Sequence, residues 1–201
     1  MISTLYSTAE NPAGSLALRI HFQRLEGARG PIGAIAGIAI VIAILIAVGN
    51  ALGVLISNTD SAAPAGVYRV VAHGIERGEL VAACLPIPIA QEGLARGYLR
   101  TGACAGNAEP AGKIVGALPG DSVEIEPEWV AVNGARFARS KVATHDSAHR
   151  PLPHVAWGSH RVAAGQVWLF GFNDRRSWDS RYFGPIPLAN VSGEIEPVVT
   201  W

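Results

Sequence analysis

The sequence predicts a mostly β domain of antiparallel sheets that follows a single transmembrane helix. Residues 31–56 form an apolar run with no charged residue, and a helix of about 20 apolar residues spans the hydrocarbon core of a bilayer. Beyond this run, short apolar segments alternate with turn sequences, in a chain that contains 23 glycines and 13 prolines. Short segments punctuated in this way are typical of antiparallel strands rather than of long helices.

The apolar run divides the chain into three predicted parts. Residues 1–30 are a polar leader whose second half carries three arginines, residues 31–56 are a membrane anchor, and residues 57–201 are the folded domain. The run is longer than the apolar part of a cleaved signal peptide, so an uncleaved anchor is favoured over that alternative. Because positive residues collect on the cytoplasmic side of a membrane, the leader is predicted to be cytoplasmic. The folded domain then lies on the other side, in a periplasm-like space.

The charge balance of the chain argues against nucleic acid as a partner. Lysine and arginine together number 16, and aspartate and glutamate together also number 16, so the formal net charge is zero. Binding to a phosphate backbone requires a surplus of cations. No nucleic-acid partner is therefore expected.

The folded domain is predicted to consist of short strands joined by turns and polar loops. Strands are expected at 69–72, 80–85, 166–171 and 198–201, and on both sides of the turn Pro119-Gly120-Asp121 within residues 113–125. Residues 128–137 predict a hairpin with the two-residue turn Asn133-Gly134. Residues 89–100 predict a short helix or a loop, and residues 140–160 and 172–184 predict polar loops.

Cys84 and Cys104 are the only cysteines of the chain. In an oxidising compartment such a pair most often forms a disulfide, which here closes a loop of about 20 residues and contributes roughly 3 kcal/mol in the loop-entropy picture. A catalytic thiol is the less favoured alternative. Four histidines occur within residues 140–160, but no cysteine or paired carboxylate accompanies them, so neither a metal site nor a cofactor is predicted.

Ser61 follows the apolar run among small residues and is a candidate nucleophile at the membrane surface. A serine nucleophile needs a base, and none of the histidines occurs in a recognisable triad context. Lysine is the other option, provided that burial lowers its pKa, and the chain has only two lysines. Lys113 begins an apolar strand, whereas Lys141 stands at the edge of a polar loop. Lys113 is the candidate base, and the alternative is a lysine on the exposed face of a strand.

Three segments of the chain carry a resemblance to a known family. They contain Asn58-Thr59-Asp60-Ser61 with Pro64-Ala65-Gly66-Val67-Tyr68-Arg69, then Lys113 with Leu118-Pro119-Gly120-Asp121, then Ser177-Trp178-Asp179-Ser180-Arg181-Tyr182-Phe183-Gly184-Pro185-Ile186. These segments resemble the boxes of type I signal peptidases and, more narrowly, of the conjugative-transfer maturation peptidases of the TraF type. The resemblance covers most of the chain from the anchor to Trp201 and is absent from residues 1–30 and 140–160.

The resemblance implies a catalytic pair. Ser61 would be the nucleophile and Lys113 its general base, within a signal-peptidase-like catalytic domain. Thr59 matches a hydroxyl that helps the backbone N–H of Ser61 to form the oxyanion hole, where one donor is typically worth roughly 3–4 kcal/mol.

The resemblance also implies supporting residues in the third segment. Ser177 matches a hydroxyl that orients the lysine. Asp179 and Arg181 match an acidic and a basic residue near the site, and the alternative for these two is a surface salt bridge.

Two positions depart from the family pattern. Ser61 is separated from Pro64 by two alanines, one residue more than the TraF-type spacing Ser-x-Pro, although the broader spacing Ser-x-x-Pro fits. Ile114 stands where signal peptidases usually have an arginine after the lysine.

The function that the resemblance implies is that of a serine endopeptidase held in a bacterial inner membrane with its catalytic domain in the periplasm. It would process an exported, pilin-like precursor, by hydrolysis or by cyclisation, for a conjugative transfer complex or type IV secretion. The alternative is a non-catalytic, membrane-tethered periplasmic scaffold of such an apparatus. An autoproteolytic repressor with a related Ser–Lys site is disfavoured, because residues 1–56 offer a membrane span in place of a DNA-binding module.

Overall fold

Residues 31–51, 54–57, 62–71 and 74–201 are described by the structure, a computed structural model. The chain divides into two units, Met1–Val48 and Gly49–Trp201. The predicted nucleophile Ser61 and the predicted oxyanion residue Thr59 lie outside the described residues.

Helix α1 spans Pro31–Ala51. Its segment Pro31–Gly49 has a mean hydropathy of 2.9 and is the one helix, among the described residues, that is long and apolar enough to cross a membrane. Its isoleucine, leucine and valine side chains from Ile32 to Val48 are exposed, as suits contact with lipid. The predicted anchor extended to Ile56, and this boundary is wrong: Val54–Ser57 forms strand β1, whose backbone groups pair with the next strand.

Ten further strands follow β1 in the described chain: β2 Gly66–Val71, β3 Leu80–Ala83, β4 Ala111–Ala117, β5 Ser122–Ile125, β6 Val130–Val132, β7 Ala135–Arg136, β8 Gly158–Arg161, β9 Gln166–Phe170, β10 Ile186–Pro187 and β11 Val191–Thr200. They form a seven-stranded sheet in the order β1-β2-β11-β3-β4-β9-β10 and a four-stranded sheet in the order β7-β6-β5-β8. Every pairing between neighbours is antiparallel. The predicted fold class, mostly β with antiparallel sheets after one apolar helix, is confirmed.

Two turns join the strands as their sequences predict. Asn133 and Gly134 both have positive φ, at 51° and 80°, which is the backbone of a type I′ hairpin turn between β6 and β7. At the other turn, the backbone N–H of Leu118 donates to a carboxylate oxygen of Asp121 at 2.8 Å. This second turn joins β4 in the larger sheet to β5 in the smaller one, so the strand–turn–strand pattern is a passage between sheets and not a hairpin.

Helix α2 spans Ile87–Arg96 and is the short helix that the sequence left undecided. Pro86 precedes its first residue without a side-chain capping bond, and Gly97 ends it with φ 74°, a conformation that glycine adopts without a steric cost. The disulfide Cys84–Cys104, with a Cα–Cα distance of 5.4 Å, is present and connects the chain on either side of α2.

Strand β11 is longer than the sequence predicted. The pattern indicated a strand at 198–201, whereas β11 begins at Val191 and pairs with β3 and β2. Register shifts at Val191/Gly193 and at Pro197/Val199 interrupt its side-chain alternation, which hides it from a periodicity search. Pro197 is tolerated because it pairs only with Tyr68 of β2, beyond the part of β11 that pairs with β3.

Gly116 lies where the pairing of β4 with β9 shifts register between Val115 and Ala117. A Cβ at this position would overlap the buried ring of Phe170. On the same strand, a Cβ at Gly112 would lie 3.7 Å from Ile195, in ordinary contact. Both glycines lie on β4, so they differ in the space available for an added side chain.

Gly116→Ala is expected to lower the free energy of unfolding by about 1–3 kcal/mol, because the ring of Phe170 must move within a packed core. Gly112→Ala is the matched control and is expected to leave this free energy unchanged or raise it by up to about 1 kcal/mol. Denaturant unfolding of the full chain in detergent, followed by tryptophan fluorescence, measures both. Equal effects of the two substitutions would contradict this account.

Candidate active site

Lys113 lies in the middle of β4, between β3 and β9. Its side chain is only 6% exposed, because it points to the same face of the strand as the buried Ala111 and Val115. Its Nζ donates a hydrogen bond to Oγ of Ser177 at 3.1 Å. The alternative of a lysine on the exposed face of the strand is wrong.

Burial lowers the pKa of Lys113 below the usual range of lysine, since a charged ammonium loses its hydration there. The carboxylates of Asp179 and Asp174 act in the opposite direction and Arg181 acts in the same one, but the loss of hydration dominates. The amine is therefore neutral at a lower pH than a free lysine. Lys141 is different: its Nζ lies 2.7 Å from Glu128 and its side chain is 55% exposed.

Residues 177–182 are buried, although the sequence predicted a polar loop at 172–184. A short helix, α3 Ser180–Phe183, occupies part of this segment. Its polar side chains are satisfied internally, because the hydroxyl of Ser180 accepts from the N–H of Leu169 at 2.9 Å and Asp179 accepts from the N–H of Gly171 at 2.9 Å. The error arises because polar composition was taken as a sign of solvent exposure, whereas these groups bind the end of β9.

Asp179 and Arg181 form a fully buried, bidentate ion pair. Nε and Nη2 of Arg181 each donate to one carboxylate oxygen of Asp179 at 2.8 Å, and both side chains are 0% exposed. The guanidinium also donates to the carbonyl oxygens of Ser177 at 3.1 Å and Lys141 at 2.8 Å. The alternative of a surface salt bridge is wrong, and the pair fixes the backbone that carries Ser177.

A cavity of about 150 Å³ adjoins Lys113 and Ser177. Its walls combine apolar side chains with charged ones, and the residues that contribute them include Leu85, Tyr98, Leu99, Glu109, Asp174, Arg176 and Trp178. Concave sites of this mixed character are where proteins bind ligands. Asp174 and Arg176 were not singled out from the sequence, although their place just before Ser177 on the same loop was a usable signal.

Tyr98 and Trp178 form one wall of the cavity, and their ring centroids lie 5.2 Å apart. Side chains outside the cavity hold Tyr98 in place. The hydroxyl of Tyr98 donates to Asp146 at 2.6 Å, and Arg150 donates to the same carboxylate at 2.7 Å. The hydrogen bond from Tyr98 and those from Arg150 and Ala148 lower the pKa of Asp146. Residues 140–160 are therefore anchored to α2 and its end and are not a fully solvated loop.

The structure brings four of the predicted site residues together, namely Lys113, Ser177, Asp179 and Arg181. The other two, Thr59 and Ser61, fall outside its described ranges. Within those ranges, no group of histidine, cysteine or acidic residues has the arrangement of a metal site.

Comparison with known proteins decides the family of this chain. The family described as "Signal peptidase, peptidase S26" matches residues 31–201. The chain belongs to this signal peptidase family. It is 33% identical over 168 residues to the plasmid transfer protein TraF of Escherichia coli, and the match covers 83% of this chain and 93% of that relative. It is 37% identical over 147 residues to the conjugal transfer protein TraF of Agrobacterium fabrum, covering 72% and 81%.

The structural match with a solved signal peptidase I from Enterococcus faecalis covers 63% of this chain and 100% of that one. The two are 23% identical in sequence, and the TM-score is 0.39.

Asp179→Ala is expected to lower the free energy of unfolding by about 3–5 kcal/mol, because it leaves the buried guanidinium of Arg181 without its charge partner. Glu128→Ala is the control: it breaks the exposed pair with Lys141 and is expected to cost less than about 1 kcal/mol. Denaturant unfolding of the full chain in detergent gives both values. A cost for Asp179→Ala as small as that for Glu128→Ala would show that the buried pair does not hold this region.

Proposed function

We propose that this chain is a membrane-anchored serine endopeptidase in which Ser61 is the nucleophile and Lys113 its general base. The observation that carries the proposal is the buried Lys113, whose pKa is lowered and whose amine is oriented by Ser177. A lysine can act as a base only in its neutral form, and burial makes that form accessible. Membership of a peptidase family supports the same chemistry.

The proposed reaction proceeds by acyl transfer. The neutral amine of Lys113 takes the proton from the Ser61 hydroxyl as Oγ bonds to the carbonyl carbon of the scissile peptide. The ammonium then gives this proton to the leaving nitrogen as the C–N bond breaks, which leaves an acyl-enzyme and restores the neutral amine. In the second half of the reaction, water attacks the acyl carbon while Lys113 takes its proton, the ester bond between this carbon and Oγ of Ser61 breaks, and the ammonium returns the proton to Oγ. An amine of the substrate that attacks in place of water forms a new peptide bond with the same proton transfers, which is the route to a cyclic product.

Three further side chains have positioning roles in this proposal. Ser177 holds the amine of Lys113 through the 3.1 Å hydrogen bond, and Asp179 with Arg181 holds the backbone of Ser177. The hydroxyl of Thr59 and the backbone N–H of Ser61 are proposed to stabilise the oxyanion, a contribution of roughly 3–4 kcal/mol for one donor.

The proposed substrate is an exported, pilin-like precursor, and the proposed setting is a conjugative transfer complex. Two relatives named for plasmid or conjugal transfer support this setting. The apolar helix α1 is proposed to anchor the chain in the inner membrane, with the arginines of the leader on the cytoplasmic side. A disulfide is typical of an oxidising compartment, so Cys84–Cys104 supports a catalytic domain in the periplasm.

Ser61→Ala and Lys113→Ala are each expected to abolish processing of the precursor in cells, because each removes a partner in proton transfer. Lys141→Ala is the control, since Lys141 is the other lysine of the chain and its amine is exposed and paired with Glu128. Mass spectrometry of exported proteins from cells carrying each variant measures processing. Normal processing by Ser61→Ala or Lys113→Ala would reject the dyad and favour the scaffold.

The rate constant kcat/KM is expected to rise with pH through the lowered pKa of Lys113, because the base works only when neutral. Asp174 stabilises the charged amine, so Asp174→Asn is expected to move this rising limb to lower pH. Glu128→Gln is the control, because the carboxylate of Glu128 pairs with Lys141 and not with Lys113. This variant is expected to leave the rising limb at the same pH. The small residues that flank Ser61 in the sequence are compatible with a substrate of the Ala-x-Ala type. Cleavage of an Ala-x-Ala peptide by the full chain in detergent gives the profiles, and a limb that moves to higher pH in Asp174→Asn would contradict this role of Lys113.

A further inference from the structure

Two exposed arginines, Arg139 and Arg175, face an open groove on the folded domain. Both line two neighbouring cavities of about 700 and 460 Å³. Two other cations near them have acidic partners: Arg176 pairs with Asp174 at 3.2 Å and Lys141 pairs with Glu128 at 2.7 Å. Within the described chain, no carboxylate forms an ion pair with Arg139 or Arg175, so no described acidic side chain neutralises these two positive charges of the groove.

The loops that carry these two arginines are held in place by buried hydrogen bonds. Arg139 has φ 58°, which is unusual for a residue with a side chain, and the hydroxyl of the next residue, Ser140, bonds two main-chain groups at 2.7 and 2.8 Å. Arg181 donates to the carbonyl oxygens of Lys141 and Ser177, one on each loop. The two arginines are therefore presented by loops that one buried guanidinium ties together.

The groove adjoins the cavity beside Lys113. Asp174 and Arg176 line both of them, so an extended polypeptide bound in the cavity at Lys113 lies within reach of the groove. We propose that Arg139 and Arg175 bind a carboxylate-bearing segment of the polypeptide substrate, near the bond that is cleaved. This inference rests on the proposed peptidase function and adds a charge preference to it.

The chemistry of the groove favours acidic side chains of a peptide. A guanidinium presents paired N–H donors that match the two oxygens of a carboxylate. The lining shared with the cavity at Lys113 favours a polypeptide over a lipid, since one extended chain can contact both places. A sequence of Asp or Glu residues close to the scissile bond is the expected feature of the substrate.

Paired peptides test this proposal on the full-length Ser61→Ala chain in detergent. Each pair shares an Ala-x-Ala site and differs only in three glutamates or three glutamines on one side of it, and two pairs cover both sides. Fluorescence anisotropy at low salt measures the Kd of each peptide. On one side of the site, the glutamate peptide is expected to have a Kd about 5-fold lower than the matching glutamine peptide, which is the combined effect of two exposed ion pairs. The preference is expected to weaken at high salt.

Two variants assign the preference to the groove. Arg139→Gln combined with Arg175→Gln is expected to bring the two Kd values together, whereas Arg161→Gln, an exposed arginine on β8, is expected to keep them apart. Equal affinity of the unaltered groove for both peptides, or a preference that survives the double substitution, overturns the proposal. It is also overturned if the double variant loses only its affinity for phosphatidylglycerol nanodiscs and keeps its peptide preference.

The same peptides separate this proposal from the proposed function. With Ser61 present, the charge preference is expected in KM and not in kcat. If the peptides bind with the expected preference and are never cleaved, the peptidase function fails while recognition of acidic segments stands.

Discussion

The carboxylate of Asp179 and the guanidinium of Arg181 meet where no water reaches them, and the candidate site depends on their pairing. Removing two charges from water is costly unless hydrogen bonds satisfy them, and here main-chain groups of Gly171, Ser177 and Lys141 complete both shells. The pair consequently fixes the backbone of three separate segments. The hydroxyl that orients Lys113 belongs to one of these segments.

Lysine and arginine have different chemical roles in the interior of this chain. Fourteen of its sixteen basic residues are arginines, and a guanidinium stays charged under all conditions that a protein survives. Arg181 can therefore serve as a permanent cation in the interior. Lys113, buried a short distance away, has an amine that can lose its proton, which is the property that a base requires. The two residues could not exchange places and keep these properties.

The sequence predicted the apolar helix, most of the strands and the hairpin at Asn133-Gly134, because each depends on local pattern or on a short motif. For Lys113 the strand pattern left an exposed side chain as an open alternative, and the resemblance to signal peptidases favoured a base. It did not predict the buried segment around Asp179, since polar composition does not reveal whether the polar groups bind water or one another. It also missed most of β11, where bulges and Pro197 break the alternation. These failures share one cause, which is that partners distant in sequence decide the outcome.

The position of β11 in the larger sheet has a consequence for the order of folding. This strand lies between β2 and β3, so strands made early in synthesis stay unpaired along one edge until Val191–Thr200 arrives. Assembly of the larger sheet must therefore wait until these residues are made. A shorter nascent chain leaves one edge of β2 and one edge of β3 open, and such edges can pair with other chains until β11 covers them.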